Sequence, residues 1–211
     1  MIEQIIGVGG SAGAGKSTLC KVASNFFGFQ HLEMADPLRK IAAVFQADGY
    51  GYEPAIDYAD LHLALVNAGY ILDAHETTIG LNKILAMFDM VNEYRETKSV
   101  HDRAFVQFLG TEVMRHLFGE NVHCNAVWSN LQPLALPKKL IIGSIRFQNE
   151  YDFWKSKAIK YSQIIIDRKT PQLNHISEVW YRSFSGEKTI IKNDGSMADF
   201  VKDCAYTIQN I

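Results

Sequence analysis

The sequence predicts an α/β chain with a parallel five-stranded sheet, helices on both faces and a helical insert between the second and third strands. Three observations carry this. Short apolar runs alternate with segments of helical spacing at both ends of the chain. A long central stretch has helical spacing and no strand-like run. The first apolar run also ends in a glycine-rich turn that leads directly into a helical segment.

Ile2 to Val8 is apolar and ends at Gly9-Gly10, which reads as a buried strand. Ser17 to Phe27 follows with helical apolar spacing at Leu19, Val22, Ala23 and Phe26, and stops at Gly28. Phe29 to Met34 is the second strand. Asp36-Pro37 then opens a helix to about Gln46, with Asp as its cap and Pro in the first helical position. Ala47 to Tyr58, rich in Gly, Tyr and Asp, reads as a loop, and Asp60 to Val100 as mostly helical. Asp102 to Phe118 is a helix with Phe105, Phe108, Leu109, Val113 and Leu117 on one face, and Val122 to Leu131 is another. Pro133 and Pro137 precede the strand Leu140 to Ile142. The last third alternates again: helix Gln148 to Lys157, strand Ile159 to Ile166, loop-like Asp167 to Glu187, strand Thr189 to Ile191, and a helix ending near Gln209. The expected organisation is one domain over 1–211, with a helical insert at about 48–131 and a lid-like segment at about 167–187.

The chain has 211 residues, enough for a sizeable core, and its 47% hydrophobic and 21% charged residues exclude an intrinsically disordered chain. A net charge of -2 argues against a general nucleic-acid surface, which needs many phosphate-neutralising cations. The three cysteines, Cys20, Cys124 and Cys204, are scattered without metal-ligand spacing and read as reduced, buried thiols. No signal-peptide pattern and no long apolar run occurs, so a cytoplasmic protein without a membrane segment is expected. A homodimer is compatible with the sequence.

Gly10-Ser11-Ala12-Gly13-Ala14-Gly15-Lys16-Ser17 satisfies GxxxxGK[ST] in full, between a predicted strand and a predicted helix, with Thr18 next on the helix. Glycines let backbone N–H groups turn toward phosphate oxygens, and the helix adds its positive N-terminal end. Lys16 is then expected to reach the β- and γ-phosphates of ATP, and the Ser17 hydroxyl to ligate Mg²⁺. These features define a three-layer P-loop NTPase fold. The alternative is a glycine-rich strand-to-helix turn with an incidental Lys-Ser; the full motif in the setting it requires favours the phosphate loop.

The motif alone does not separate kinase, switch GTPase, motor and ATPase. No Asn-Lys-x-Asp base-reading motif is present, and the strand Leu140 to Ile142 is followed by Gly143-Ser144 rather than an acid. A small P-loop chain with a helical insert fits a kinase for a small acceptor.

Several further blocks stand in order: Ala35-Asp36-Pro37-Leu38-Arg39-Lys40, Gln107 to Arg115, Ile145-Arg146-Phe147-Gln148-Asn149-Glu150, His175-Ile176-Ser177-Glu178 and Asn193-Asp194-Gly195-Ser196. With the P-loop they resemble the bacteriophage deoxynucleoside monophosphate kinases, a branch of the P-loop nucleoside monophosphate kinases. The resemblance covers most of the chain except Gly49 to Lys98. It implies ATP-dependent transfer to a nucleoside monophosphate, with Mg²⁺, in a virus-encoded protein acting in the host cytoplasm. One departure stands out: the family commonly has Asp-Val-Arg-Phe where this chain has Ser144-Ile145-Arg146-Phe147, so a strand-end carboxylate is missing.

Asp36, at a strand end and helix start, is the expected acid near acceptor and Mg²⁺, with a simple helix cap as the alternative. Arg39, three residues on, is expected to fork onto an acceptor phosphate, against a solvated helix charge. The resemblance implies that the helix of Gln107 and Arg115 lines the acceptor pocket, Gln107 toward the base and Arg115 toward phosphate. Arg146 is expected on a ligand phosphate, against an internal pair with Glu150. Arg168, with Lys169 and Arg182, stands in the lid-like segment, where cations act on the transferring group. His175 reads as a hydrogen-bonded structural residue, and Trp180, Tyr181 and Phe184 as packing for that segment. Two other functions stay open: a kinase for a hydroxyl acceptor, such as dephospho-coenzyme A or a modified nucleoside including one within DNA, and a regulatory nucleotide-binding protein.

Overall fold

In a computed structural model of the chain, residues 1–46, 58–70, 77–131, 135–170 and 175–211 are described. The loop expected over 47–58 lies almost wholly outside them, as do 71–76 of the helical stretch, Pro133, and 171–174 of the lid-like segment.

The elements follow the predicted alternation. β1 (Ile2–Gly10), α1 (Lys16–Phe27) and β2 (Gln30–Glu33) come first. Among the described residues seven helical stretches come next: α2 (Asp36–Gln46), α3 (Tyr58–Asn67), α4 (Thr77–Thr97), α5 (Arg103–Phe108), a π-helical segment (Leu109–Arg115), α6 (His116–Phe118) and α7 (Val122–Leu131). β3 (Lys139–Gly143), α8 (Gln148–Lys157) and β4 (Ala158–Asp167) follow, then a 3₁₀ turn (Ile176–Glu178), α9 (Trp180–Ser183), β5 (Thr189–Lys192) and α10 (Met197–Asn210). Two compact units result: Met1–Met34 with Ala135–Ile211, and Ala35–Leu134.

The first unit is the sheet. Its five strands are parallel in the order β2-β3-β1-β4-β5, with Ile6 opposite Ile141 and Gly10 opposite Ile166. One face of the sheet, with Ile6, Val8, Ile141, Ile164 and Ile166, packs on Leu19 and Ala23 of α1 and on Phe200 and Cys204 of α10. The other face meets α8, where Tyr151 crosses Tyr161 edge-on at 5.2 Å and Trp154 is fully buried, donating to Met34 Sδ at 3.2 Å. Three layers follow because side chains alternate along each strand and both faces are apolar. Burial also corrects one expectation: Phe26 is 74% exposed, and α1 instead buries Leu19, Cys20, Val22 and Ala23.

The second unit is helical, with its own core of Leu38, Ile41, Phe45, Leu61, Leu65, Ile84, Met87, Val91, Phe105, Leu109 and Val113. Arg95 donates to the Phe45 carbonyl at 2.6 Å and so satisfies an end carbonyl of α2. The helix expected over Asp102 to Phe118 widens into the π segment at Leu109–Arg115. A buried network accompanies the widening. His123 Nε2 lies 2.9 Å from the Gly110 carbonyl, which can only accept, so that nitrogen carries the proton. Nδ1 therefore accepts from the Tyr70 hydroxyl at 2.8 Å. Burial holds the imidazole neutral, with its pKa pushed down to about 4.

Candidate functional site

The carboxyl ends of the parallel strands are where ligands bind in open α/β sheets. In the first unit each such end leads into a polar residue: β1 into Ser11, β3 into Ser144, β4 into Arg168 and β5 into Asn193, while β2 ends on Glu33.

The P-loop turn requires its glycines. Gly10, Gly13 and Gly15 have φ of 136°, 73° and 113°, in the region that L side chains rarely adopt. A Cβ on Gly15 would also lie 2.7 Å from the Phe200 ring and 2.8 Å from Asn193 Nδ2. The loop closes with Ala14 N–H donating to the Ser11 carbonyl at 3.2 Å. Lys16 Nζ folds back over it, donating to the carbonyls of Gly10 at 2.7 Å and Ser11 at 2.6 Å. A cation is thus held at the mouth of a turn whose next helix begins at Lys16, and Ser17 is exposed in the first helical turn.

Three neighbours brace the turn. Asn193, 7% exposed just past β5, donates from Nδ2 to the Ala14 carbonyl at 2.7 Å, and its backbone N–H donates to the Asp167 carbonyl at 2.9 Å. Thr170 donates to Ser11 Oγ at 2.6 Å. Arg168, just past β4, donates to the Gly13 carbonyl at 3.0 Å, which brings this sequence-predicted cation to the loop. Thr170 had no place in the sequence analysis, and Asn193 stood there only within the Asn193-Asp194-Gly195-Ser196 block, with no function assigned. For Asn193 the available signal was a polar residue directly after an apolar strand, in a parallel sheet whose strand ends line the site.

Ser144 has φ 65°, is 6% exposed, and is the one non-glycine residue with positive φ among those described. This left-handed step lets Ile145 N–H donate to the Val8 carbonyl of β1 at 2.9 Å, so the chain after β3 stays against β1. Asp and Asn adopt this conformation far more readily than most residues. The Asp common in the resembling family therefore suits the backbone here as well as any charge role.

An acid missed from sequence stands one strand away. Glu33 closes β2, its side chain 13% exposed, with its carboxylate lying where a Cβ on Gly143 would be. Gly143 leaves the room: a Cβ there would collide with Glu33 Oε1 and lie 2.8 Å from Oε2. The charge is felt locally. Burial pushes the Cys20 thiol well up from its ordinary range, Glu33 pushes it further, and Lys16 pulls it partly back.

Arg146 Nη1 donates to Ser177 Oγ at 3.3 Å. Glu150, 4% exposed, accepts the Arg146 backbone N–H at 2.7 Å, so its carboxylate serves the entry to α8. His175 accepts from the Ser177 N–H at 3.3 Å as the cap of the 3₁₀ turn. Phe184 and Trp180 pack on Tyr151, with centroids at 4.8 and 6.3 Å.

In the second unit, Asp36 opens α2 and pairs with Arg39 at 2.8 Å, both side chains more than half exposed. Gln107 is on α5, and Arg115 ends the π segment. Gln107 Nε2 is buried and has no hydrogen-bond acceptor among the described residues.

A parallel sheet with a strand–GxxxxGKS–helix phosphate loop defines the class: a P-loop nucleotide-binding protein. The chain belongs to the deoxynucleotide monophosphate kinase family, whose family model matches residues 50–204. That match begins after the P-loop, so motif and family stand as separate observations. The chain is thereby a nucleotide kinase, a phosphotransferase. No curated protein matches the chain. Among solved structures, a dephospho-CoA kinase from Campylobacter jejuni aligns at 15% identity over 98% of this chain and 97% of its own, with a TM-score of 0.48. A sugar kinase from Janibacter sp. aligns at 11% identity over 99% and 95%, with a TM-score of 0.39. No helix among the described residues is long and apolar enough to cross a membrane.

Proposed function

We propose that the chain transfers the γ-phosphoryl group of ATP, with Mg²⁺, to a (deoxy)nucleoside monophosphate and releases the diphosphate and ADP. The observation that carries this is the glycine turn with Lys16 held across its mouth at 2.6–2.7 Å from two loop carbonyls. On binding, Lys16 exchanges those carbonyls for β- and γ-phosphate oxygens, and the loop N–H groups of Gly10 to Thr18 take the rest of the charge. Arg168 adds a second cation at Gly13, and Arg146 a third at the same strand edge. Transfer then depends on positioning and charge neutralisation.

The oxygen donors present suit a hard cation: Ser17 Oγ is exposed beside Lys16, and Glu33 brings a carboxylate to the strand edge. Asp36 is a further oxygen donor of the chain. Bound Mg²⁺ supplies charge neutralisation of the β- and γ-phosphate oxygens. On the acceptor side, Arg39 and Arg115 hold the monophosphate, and Gln107 reads the base. The buried, unaccepted Gln107 Nε2 supports that assignment, because such a donor is costly unless a ligand accepts from it.

The acceptor's phosphate oxygen is already a competent nucleophile, so a Ser at 144 does not deprive this reaction of a base. The test is a coupled ADP-release assay across deoxynucleoside and nucleoside monophosphates, with dephospho-coenzyme A included. Stimulation by at least one monophosphate is expected. Stimulation by dephospho-coenzyme A alone would move the assignment to a hydroxyl acceptor, and none at all would overturn transfer to small acceptors.

A further inference from the structure

β2 and α1 bring together three donor atoms of different chemistry. His31 and Glu33 are two residues apart on β2 and so share one face of the strand. Cys20 lies one helical turn beyond Lys16 on α1, fully buried. Cys20 Sγ, a His31 ring nitrogen and a Glu33 carboxylate oxygen lie within 4.8 Å of one another, with His31 Nε2 3.2 Å from Glu33 Oε1. Donors around a tetrahedral zinc-class ion stand about 3.3–3.8 Å apart, so small side-chain rotations bring this set to bonding distance.

We propose that Cys20, His31 and Glu33 form a binding site for one thiophilic divalent cation of the zinc class. Thiolate, imidazole and carboxylate are together the ligand types that such ions select over Mg²⁺. The alternative is a His31–Glu33 pair that happens to pass a core thiol. That alternative gives no reason for the thiol to lie within 4.8 Å of both the imidazole and the carboxylate. A divalent cation gives all three donor atoms a common partner. The His31 side chain is 30% exposed and that of Glu33 13%, so these two donors are in contact with solvent.

The consequence rests on the kinase reading above. An ion that holds Glu33 withdraws that carboxylate from the strand edge where Mg·ATP would use it, so zinc inhibits turnover.

The experiment is titration of the reduced, metal-free full chain with Co²⁺, followed by displacement with Zn²⁺. One Co²⁺ per chain is expected, with a thiolate-to-cobalt charge-transfer band that Zn²⁺ abolishes. Cys20→Ser removes the band, and His31→Gln, at a partly exposed strand position, weakens Co²⁺ binding about tenfold or more. Circular dichroism checks that both variants fold, and the His31→Gln result stands alone if Cys20→Ser does not. Absence of the band, its persistence in Cys20→Ser through Cys124 or Cys204, or unchanged affinity in His31→Gln overturns the site. A band without zinc inhibition of ADP release supports the site and removes Glu33 from the transfer reaction, whatever acceptor the panel identifies.

Discussion

Replacing Asn193 by Ala removes the side chain that pins the P-loop from β5. The Ala14 carbonyl it serves at 2.7 Å belongs to a residue with no exposed surface, so no water replaces the lost donor. Leaving such an acceptor unpaired costs about 1–3 kcal/mol. In a chain of this length each kcal/mol lowers Tm by roughly 2–4 °C. Asn193→Asp keeps the shape but sets a carboxylate oxygen against a carbonyl oxygen, and an uncompensated buried charge costs about 3–5 kcal/mol. That charge also faces the turn proposed to bind phosphates. The expected order of stability is wild type, then Asn193→Ala, then Asn193→Asp, measured by urea and thermal unfolding. ADP affinity by calorimetry follows the same order, with Asn193→Asp losing most. If Asn193→Ala stays within about 0.5 kcal/mol of wild type, the range of an unremarkable surface change, and ADP affinity is unaltered, the bracing argument is refuted.

Lys16→Met leaves the fold intact but lowers ATP-dependent turnover about 10²–10³-fold, the range for losing one charge-stabilising donor; ADP release reports it. His123 gives a pH signature. The unfolded imidazole takes a proton near pH 6.5 and the folded one only near about 4, so stability falls as pH drops from about 6.5 toward about 4 and the loss levels off below that. This group supplies at most about 3 kcal/mol of that loss, and His123→Gln flattens the acid limb of the urea-unfolding profile by a corresponding amount. Ser144→Gly relieves the φ of 65° and raises stability by up to about 1 kcal/mol, whereas Ser144→Val lowers it, both read from urea midpoints.

The sheet strands and the P-loop were legible because local pattern decides them. Ile2 to Val8 is apolar throughout, and Gly10, Gly13 and Gly15 stand where a turn with positive φ must have glycine. The long helix at Asp102 to Phe118 was found but its widening was not. The π segment goes with the Gly110 carbonyl accepting from His123, thirteen residues away, and no local spacing encodes that bond. Phe26 misled for a related reason: helical spacing gives a face, but only neighbours decide where that face ends. Glu33 was passed over because its sequence neighbours say nothing of the side-chain-free Gly143 beside it.

By itself the sequence determined the element order, the phosphate loop and the resemblance to a kinase family, because each rests on residues close together in the chain. Only the tertiary structure decided that Asn193 and Arg168 hold the loop, that Ser144 turns left-handed, and that Cys20, His31 and Glu33 meet. The loop contacts join residues far apart in the chain, brought together by the parallel pairing of β1 with β4 and of β4 with β5, and Cys20 meets His31 and Glu33 across the turn from α1 to β2.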